Sequence, residues 1–143
     1  MEWKGCSRWR GSPAVTATRV CLAIVFLAAA LAKSTDIRLF AAHIKDFQLV
    51  PDHLGHYCAL AIVAVEGTCA LFLLFDYRAR FSALLLAACT LLFTLAIVTV
   101  LVRGFALDCN CFGGIAQMPV GLLAIGRNTL LLAGLLLVAL GSR

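Results

Sequence analysis

The stretch FSALLLAACTLLFTLAIVTVLV, residues 81–102, holds no charged side chain, no proline and no glycine. About 20 apolar residues suffice to cross the roughly 30 Å hydrocarbon core of a bilayer as a helix. Inside lipid the backbone has to bond to itself, so a single run of this kind is read as a transmembrane helix.

Working outward, the tight basic loop Asp76-Tyr77-Arg78-Ala79-Arg80 precedes this run, and an earlier apolar run, about residues 56–75, is interrupted only by Glu66. The segment AVTATRVCLAIVFLAAALA, about residues 14–32, is a further crossing, and about 120–140, opened by Met118-Pro119, is the last. The whole chain agrees: of 143 residues 63% are hydrophobic and 13% charged, and the mean hydropathy is +1.01. Such a composition lies far outside soluble proteins and indicates an integral membrane protein. The expected fold is all-α: a bundle of four transmembrane helices, with residues 1–13 as a cytoplasmic tail and 14–143 as one transmembrane domain.

The N-terminal segment also meets the pattern of a secretory signal peptide, with a basic start, an apolar core and Ala30-x-Ala32. Its apolar run reaches back past Arg19 and ends in Lys33, which favours a retained helix. Between the first two crossings, Ile37, Phe40, Ala41, Ile44 and Phe47 recur at helical spacing, while Asp36, Arg38, His43, Lys45 and Asp46 take the other faces. This predicts a short amphipathic helix at the membrane interface, capped by Asp36 or Thr35 and stopped before Pro51.

The net charge of +5 comes from twelve Lys and Arg residues scattered around apolar runs, with no basic patch carrying interleaved aromatics. Nucleic acid is therefore not an expected partner; the charge reports topology in the lipid bilayer. With the N-terminus inside, Lys4, Arg8, Arg10, Arg19, Arg78, Arg80 and Arg143 are cytoplasmic, against Lys33, Arg38, Lys45 and Arg103 outside. That asymmetry follows the positive-inside rule and places the loop between the third and fourth crossings on the outer, oxidising side.

That loop contains Asp108-Cys109-Asn110-Cys111-Phe112-Gly113-Gly114, the only closely spaced cysteine pair among seven cysteines. Cysteines two apart can close a small, strained disulfide, and strained, exposed disulfides favour exchange. Three readings stand side by side: redox exchange, a structural clip, or a soft-metal site. Two cysteines are too few for a closed zinc site, and His43, His53 and His56 lack ligand spacing, so no metal is expected. Cys58, at the outer end of the second crossing, is a candidate resolving thiol or a packed helix residue. Cys21, Cys69 and Cys89 fall inside apolar runs as small hydrophobes. Glu66 and Arg127-Asn128 are costly at membrane depth and form a candidate intramembrane polar core. Counted by helical rise, Glu66 lies about 15 Å and Arg127 about 12 Å from the outer ends of their helices, depths that allow them to pair.

Taken together, Lys33, Leu49-Val50-Pro51, Glu66, Arg103-Gly104, Cys109-x-Cys111-Phe112-Gly113 and Arg127-Asn128 resemble the methylamine-utilisation MauE family, related to DoxX-like membrane proteins. The likeness runs from about residue 15 to the C-terminus; Asn110 stands where the family often has Gly, and the N-terminal tail is long. It implies a multi-pass protein of the bacterial inner membrane that handles disulfides with a periplasmic thioredoxin-like partner. Cys109 and Cys111 would be the exchanging, catalytic pair, with Glu66, Arg127 and Asn128 beneath them. Electrons would pass either to a membrane quinone held between the helices or to the partner alone. The rival is a non-catalytic scaffold or assembly subunit whose Cys-x-Cys is a structural disulfide.

Overall fold

The computed structural model describes residues 12–104, 108–109, 118–119 and 122–141, the four residues at 108–109 and 118–119 by their backbone alone. Its elements are α1 (Pro13–Thr35), α2 (Ile37–Asp46), a short 3-10 turn (Asp52–Leu54), α3 (Gly55–Leu74), α4 (Ala79–Val102), β1 (Asp108–Cys109), β2 (Met118–Pro119) and α5 (Leu122–Gly141). Among the described residues four helices, α1, α3, α4 and α5, are each long and apolar enough to cross a membrane, so the chain is a multi-pass membrane protein.

The ends of the helices are set by local chemistry. Ser12 caps α1, its hydroxyl accepting from the Val15 N–H at 3.3 Å, and Pro13 occupies the first turn, where its missing donor costs nothing. At the other end, Ser34 and Thr35 turn their hydroxyls back to donate to the carbonyls of Leu31 and Ala32, each at 2.7 Å. Asp36 then breaks the helix and caps α2, accepting from the Leu39 N–H at 3.1 Å. The tail within residues 1–11 lies outside the described residues. The last helix starts at Leu122, whereas Met118-Pro119, expected to open it, pairs antiparallel with Asp108-Cys109 instead.

Helix α3 ends in a Schellman motif. Asp76 takes the left-handed conformation at φ 57°, Tyr77 N–H donates to the Phe72 carbonyl at 2.9 Å, and Asp76 N–H donates to Leu73 at 3.3 Å. The accompanying apolar contact is the edge-on stack of Phe72 and Tyr77, 5.1 Å between centroids.

The four spans form a ring in which α1 and α4 each pack against both α3 and α5. Their common core draws Leu22, Ala23 and Phe26 from α1, Cys69, Ala70 and Leu73 from α3, Ala83, Leu86 and Ala87 from α4, and Leu135, Val138 and Ala139 from α5. Lipid offers apolar groups as good as another helix does, so close approach through small residues has to supply the packing. Large apolar side chains such as Ile24, Leu92, Leu130 and Leu140 point outward.

Helices α1 and α3 are axially offset. Ala30 packs on Gly67, five residues from the end of α1 but twelve from the start of α3. At 1.5 Å per residue α1 stops about 10 Å short of the end of α3. Helix α2 fills that step: Phe40, Ala41 and Ile44 are buried against Ala59, Ile62, Val63 and Phe93. Phe47, just past α2, packs on Ile97, Val100 and Ala124. The spacing thus marks the apolar face of α2, and that face docks on the bundle, where the sequence predicted a helix lying on the membrane surface.

Candidate functional site

The offset decides where the polar groups meet. Lys33, in the last turn of α1, is carried to the mid-height of α3, where its ammonium lies 2.6 Å from Glu66 Oε2. Neither side chain is more than 5% exposed. The rings of Phe40 and Phe93 lie 5.3 and 5.4 Å from the Lys33 nitrogen, so α2 and α4 add two aromatic faces to the ammonium's surroundings. Two expectations are corrected here. Lys33 is no loop charge, because it lies within α1, which ends short of its neighbour and carries it into the bundle. The ion partner of Glu66 is Lys33 rather than Arg127, because the offset between α1 and α3 brings Lys33 to the depth of Glu66.

Arg127 and Asn128 sit in the second turn of α5, on the side facing the same space. The Arg127 guanidinium donates to Asn128 Oδ1 through Nη2 at 3.0 Å and Nε at 3.3 Å. Buried Asn128 donates in turn from Nδ2 to the Thr94 hydroxyl at 3.3 Å, tying α5 to α4. Thr90 and Thr94 return their own hydroxyl protons to carbonyls one turn back in α4, at 2.8 Å each. Lys33, Glu66, Thr90, Phe93, Arg127 and Asn128 line one cavity of about 40 Å³. A water needs roughly 10–15 Å³ measured in this way, so the cavity has room for water at bilayer depth.

Of the residues singled out in the sequence, Glu66, Arg127 and Asn128 are therefore brought together. Cys58 is half-buried in the first turn of α3 and packs into the cluster that holds α2, as a packed helix residue does. For Cys109 only the backbone, in β1, is placed; its side chain and all of Cys111 lie outside the described residues. Thr94 and the two phenylalanines were missed, and Lys33, read as a loop charge and as part of the family pattern, was not placed in the polar core. A signal for Lys33 existed: it continues the stripe Phe26, Ala29, Ala30 at helical spacing, which is the buried face of α1.

At the opposite end of the bundle, Arg19 donates from Nη1 to the carbonyl of Leu73, with Leu74 at 3.4 Å and the exposed Asp76 carboxylate at 3.5 Å. A cation is thereby held against the negative end of α3.

The class that fold and site define is a polytopic α-helical membrane protein with a buried ion pair and a polar cavity inside its bundle. The comparisons make this particular: the chain belongs to the MauE family, whose sequence profile, described as "Methylamine utilisation protein MauE", matches residues 12–141. The Methylamine utilization protein MauE of Paracoccus denitrificans is 34% identical over 126 residues, which cover 87% of this chain and 68% of that protein. The protein of the same description from Methylorubrum extorquens is 32% identical over 131 residues, covering 90% and 68%. No solved structure matches the chain significantly. The resemblance drawn from the motifs is borne out.

Proposed function

We propose that this chain is a thiol-disulfide exchange protein of the bacterial inner membrane, serving methylamine utilisation as its relatives' names state. The exchanging groups are Cys109 and Cys111, on the outer face, with the N-terminus cytoplasmic; a thioredoxin-like periplasmic protein is the partner. The observation that carries the reading is the position of the pair in sequence: the chain's only closely spaced cysteines stand in the connection between α4 and α5. The Asp108-Cys109 backbone is paired with Met118-Pro119 at the foot of that connection. In exchange, a thiolate of one cysteine attacks a disulfide sulfur of the partner, giving a mixed disulfide, which the second cysteine resolves.

The test is a trapping experiment in native membranes. In Cys111→Ser, Cys109 is expected to accumulate a mixed disulfide with a periplasmic protein, seen as a band lost on reduction and absent from Cys109→Ser. A folded Cys111→Ser protein without an adduct, supporting growth on methylamine as well as the parent, would assign the pair to a structural clip in a scaffold instead.

A further inference from the structure

The turn that follows α2 closes one side of an apolar groove. Gln48 takes the left-handed conformation at φ 54°, its N–H donating to the Lys45 carbonyl at 2.8 Å. Leu49 and Val50, next in the chain, wall a groove of about 180 Å³ together with the end of α2, Ile62 of α3, and Leu92 and Ala96 of α4. Among the described residues, every side chain that lines it is apolar. At the rim, Leu92 and Leu49 are 66% and 49% exposed, so the groove is continuous with the lipid-facing surface of the bundle.

Depth and wall chemistry together select the occupant. Ile62 is seven residues into α3 and Ala96 six residues from the end of α4, so the groove lies about 10 Å below those helix ends. Helix α3, with 20 residues, is about as long as the hydrocarbon core is thick. The groove is therefore at the level of acyl chains and not of headgroups. A headgroup or a peptide would find no hydrogen-bond partner on this wall, and desolvating its polar groups there is costly. Water is no better suited, since apolar cavities stay dry, whereas one of about 150 Å³ takes up benzene. A stretch of hydrocarbon chain fits the space, and it restores the dispersion contacts that an unfilled groove forfeits.

We propose that this groove binds one acyl chain of a phospholipid, recognised by its hydrocarbon and not by its headgroup, and that the bound chain completes the packing of α2 on the bundle. Ile44 and Phe47, at the end of α2, are wall residues, so the chain packs directly on the element that fills the step above α1. Phe93 is another, and its ring lies 5.4 Å from the Lys33 nitrogen. The lipid thereby bears on an aromatic side chain that borders the buried ion pair.

The test uses the full chain in phosphatidylcholine nanodiscs doped with a phosphatidylcholine that carries a diazirine halfway along one acyl chain. On irradiation, label is expected to concentrate on residues 47–50 and on the α3 and α4 peptides around Ile62 and Ala96. It should exceed the label on the α5 peptide around outward-facing Leu137. Filling the groove with Ala96→Phe or Ile62→Phe should lower this labelling about tenfold, equivalent to ~1.4 kcal/mol. Leu137→Trp should leave it unchanged, and the same labelled chain on a phosphatidylglycerol should label equally well. Four outcomes overturn the proposal. Label spread evenly over outward-facing helices reduces the site to ordinary boundary lipid. A preference for the anionic lipid assigns recognition to a headgroup. A groove without label in the parent chain is covered by another occupant, such as a second copy of the chain. Labelling indifferent to both filling variants places the chain elsewhere. Thermal unfolding shows whether each variant is folded; if neither is, the label map of the parent chain decides alone.

Discussion

The ammonium of Lys33 lies 2.6 Å from a carboxylate oxygen of Glu66, with the two side chains 3% and 5% exposed. Removing one partner of such a pair strands a charge in a low-dielectric interior and costs about 3–5 kcal/mol, whereas replacing both by apolar groups of similar size is often neutral or stabilising. Lys33→Leu and Glu66→Leu are each expected to lower the thermal midpoint of the detergent-solubilised protein sharply, and the double variant to recover most of it. A double variant as unstable as the two singles combined would contradict the pairing.

The contact at the other end of the bundle separates a helix cap from a salt bridge. Arg19 holds the carbonyls of Leu73 and Leu74, while its partner Asp76 is 68% exposed. Hydrogen bonds to a charged group are worth about 1.5–3 kcal/mol, and exposed ion pairs about 0–1. Arg19→Ala should therefore destabilise by about 2 kcal/mol. Asp76→Gly should be neutral or stabilising, because glycine adopts the positive φ of 57° without strain. Equal losses in unfolding experiments would show that the carboxylate, not the helix end, is what Arg19 serves.

Two glycines of α5 should respond oppositely to added carbon. A Cβ at Gly126 meets none of the described residues within 4 Å, so Gly126→Ala is expected to stabilise by about 0.5–1 kcal/mol through backbone entropy. At Gly134 a Cβ would stand 3.3 Å from buried Leu22, and Gly134→Val overpacks the α1–α5 contact at a cost of about 1–3 kcal/mol. Thermal unfolding of both variants in the same detergent checks the contrast.

Neighbouring threonines of α4 should likewise differ. Thr94→Val takes the acceptor from the Asn128 amide, and a buried unsatisfied donor costs about 1–3 kcal/mol. Among the described residues the Thr90 hydroxyl bonds only the Leu86 carbonyl of its own helix, which already has a place in the helical ladder, so Thr90→Val should change stability by less than about 1 kcal/mol. Comparable losses would place Thr90 in the network as well.

Much of this was legible before any fold. The crossings could be read from apolar length, α2 from the spacing of Phe40, Ala41, Ile44 and Phe47, and its cap narrowed to Asp36 or Thr35, of which the structure uses Asp36. The family could be read from Cys109-x-Cys111-Phe112-Gly113 with Arg127-Asn128. Glu66, Arg127 and Asn128 stood out because polar groups are costly at that depth, and all three line one cavity. Lys33 stood out as part of the family pattern but not as part of the polar core, because a lysine closing an apolar run reads as a charge in the following loop.

By itself, the sequence determined how many times the chain crosses and as what. A bilayer demands a fixed apolar length and a backbone bonded within its own segment, and both are local properties. Only the tertiary structure decided which charges meet. Whether Glu66 finds Lys33 or Arg127 depends on the axial offset that Ala30 and Gly67 set between α1 and α3. An offset of two turns moves a charge from the surface to the middle of the bundle, and it is carried by packing between residues far apart in the chain.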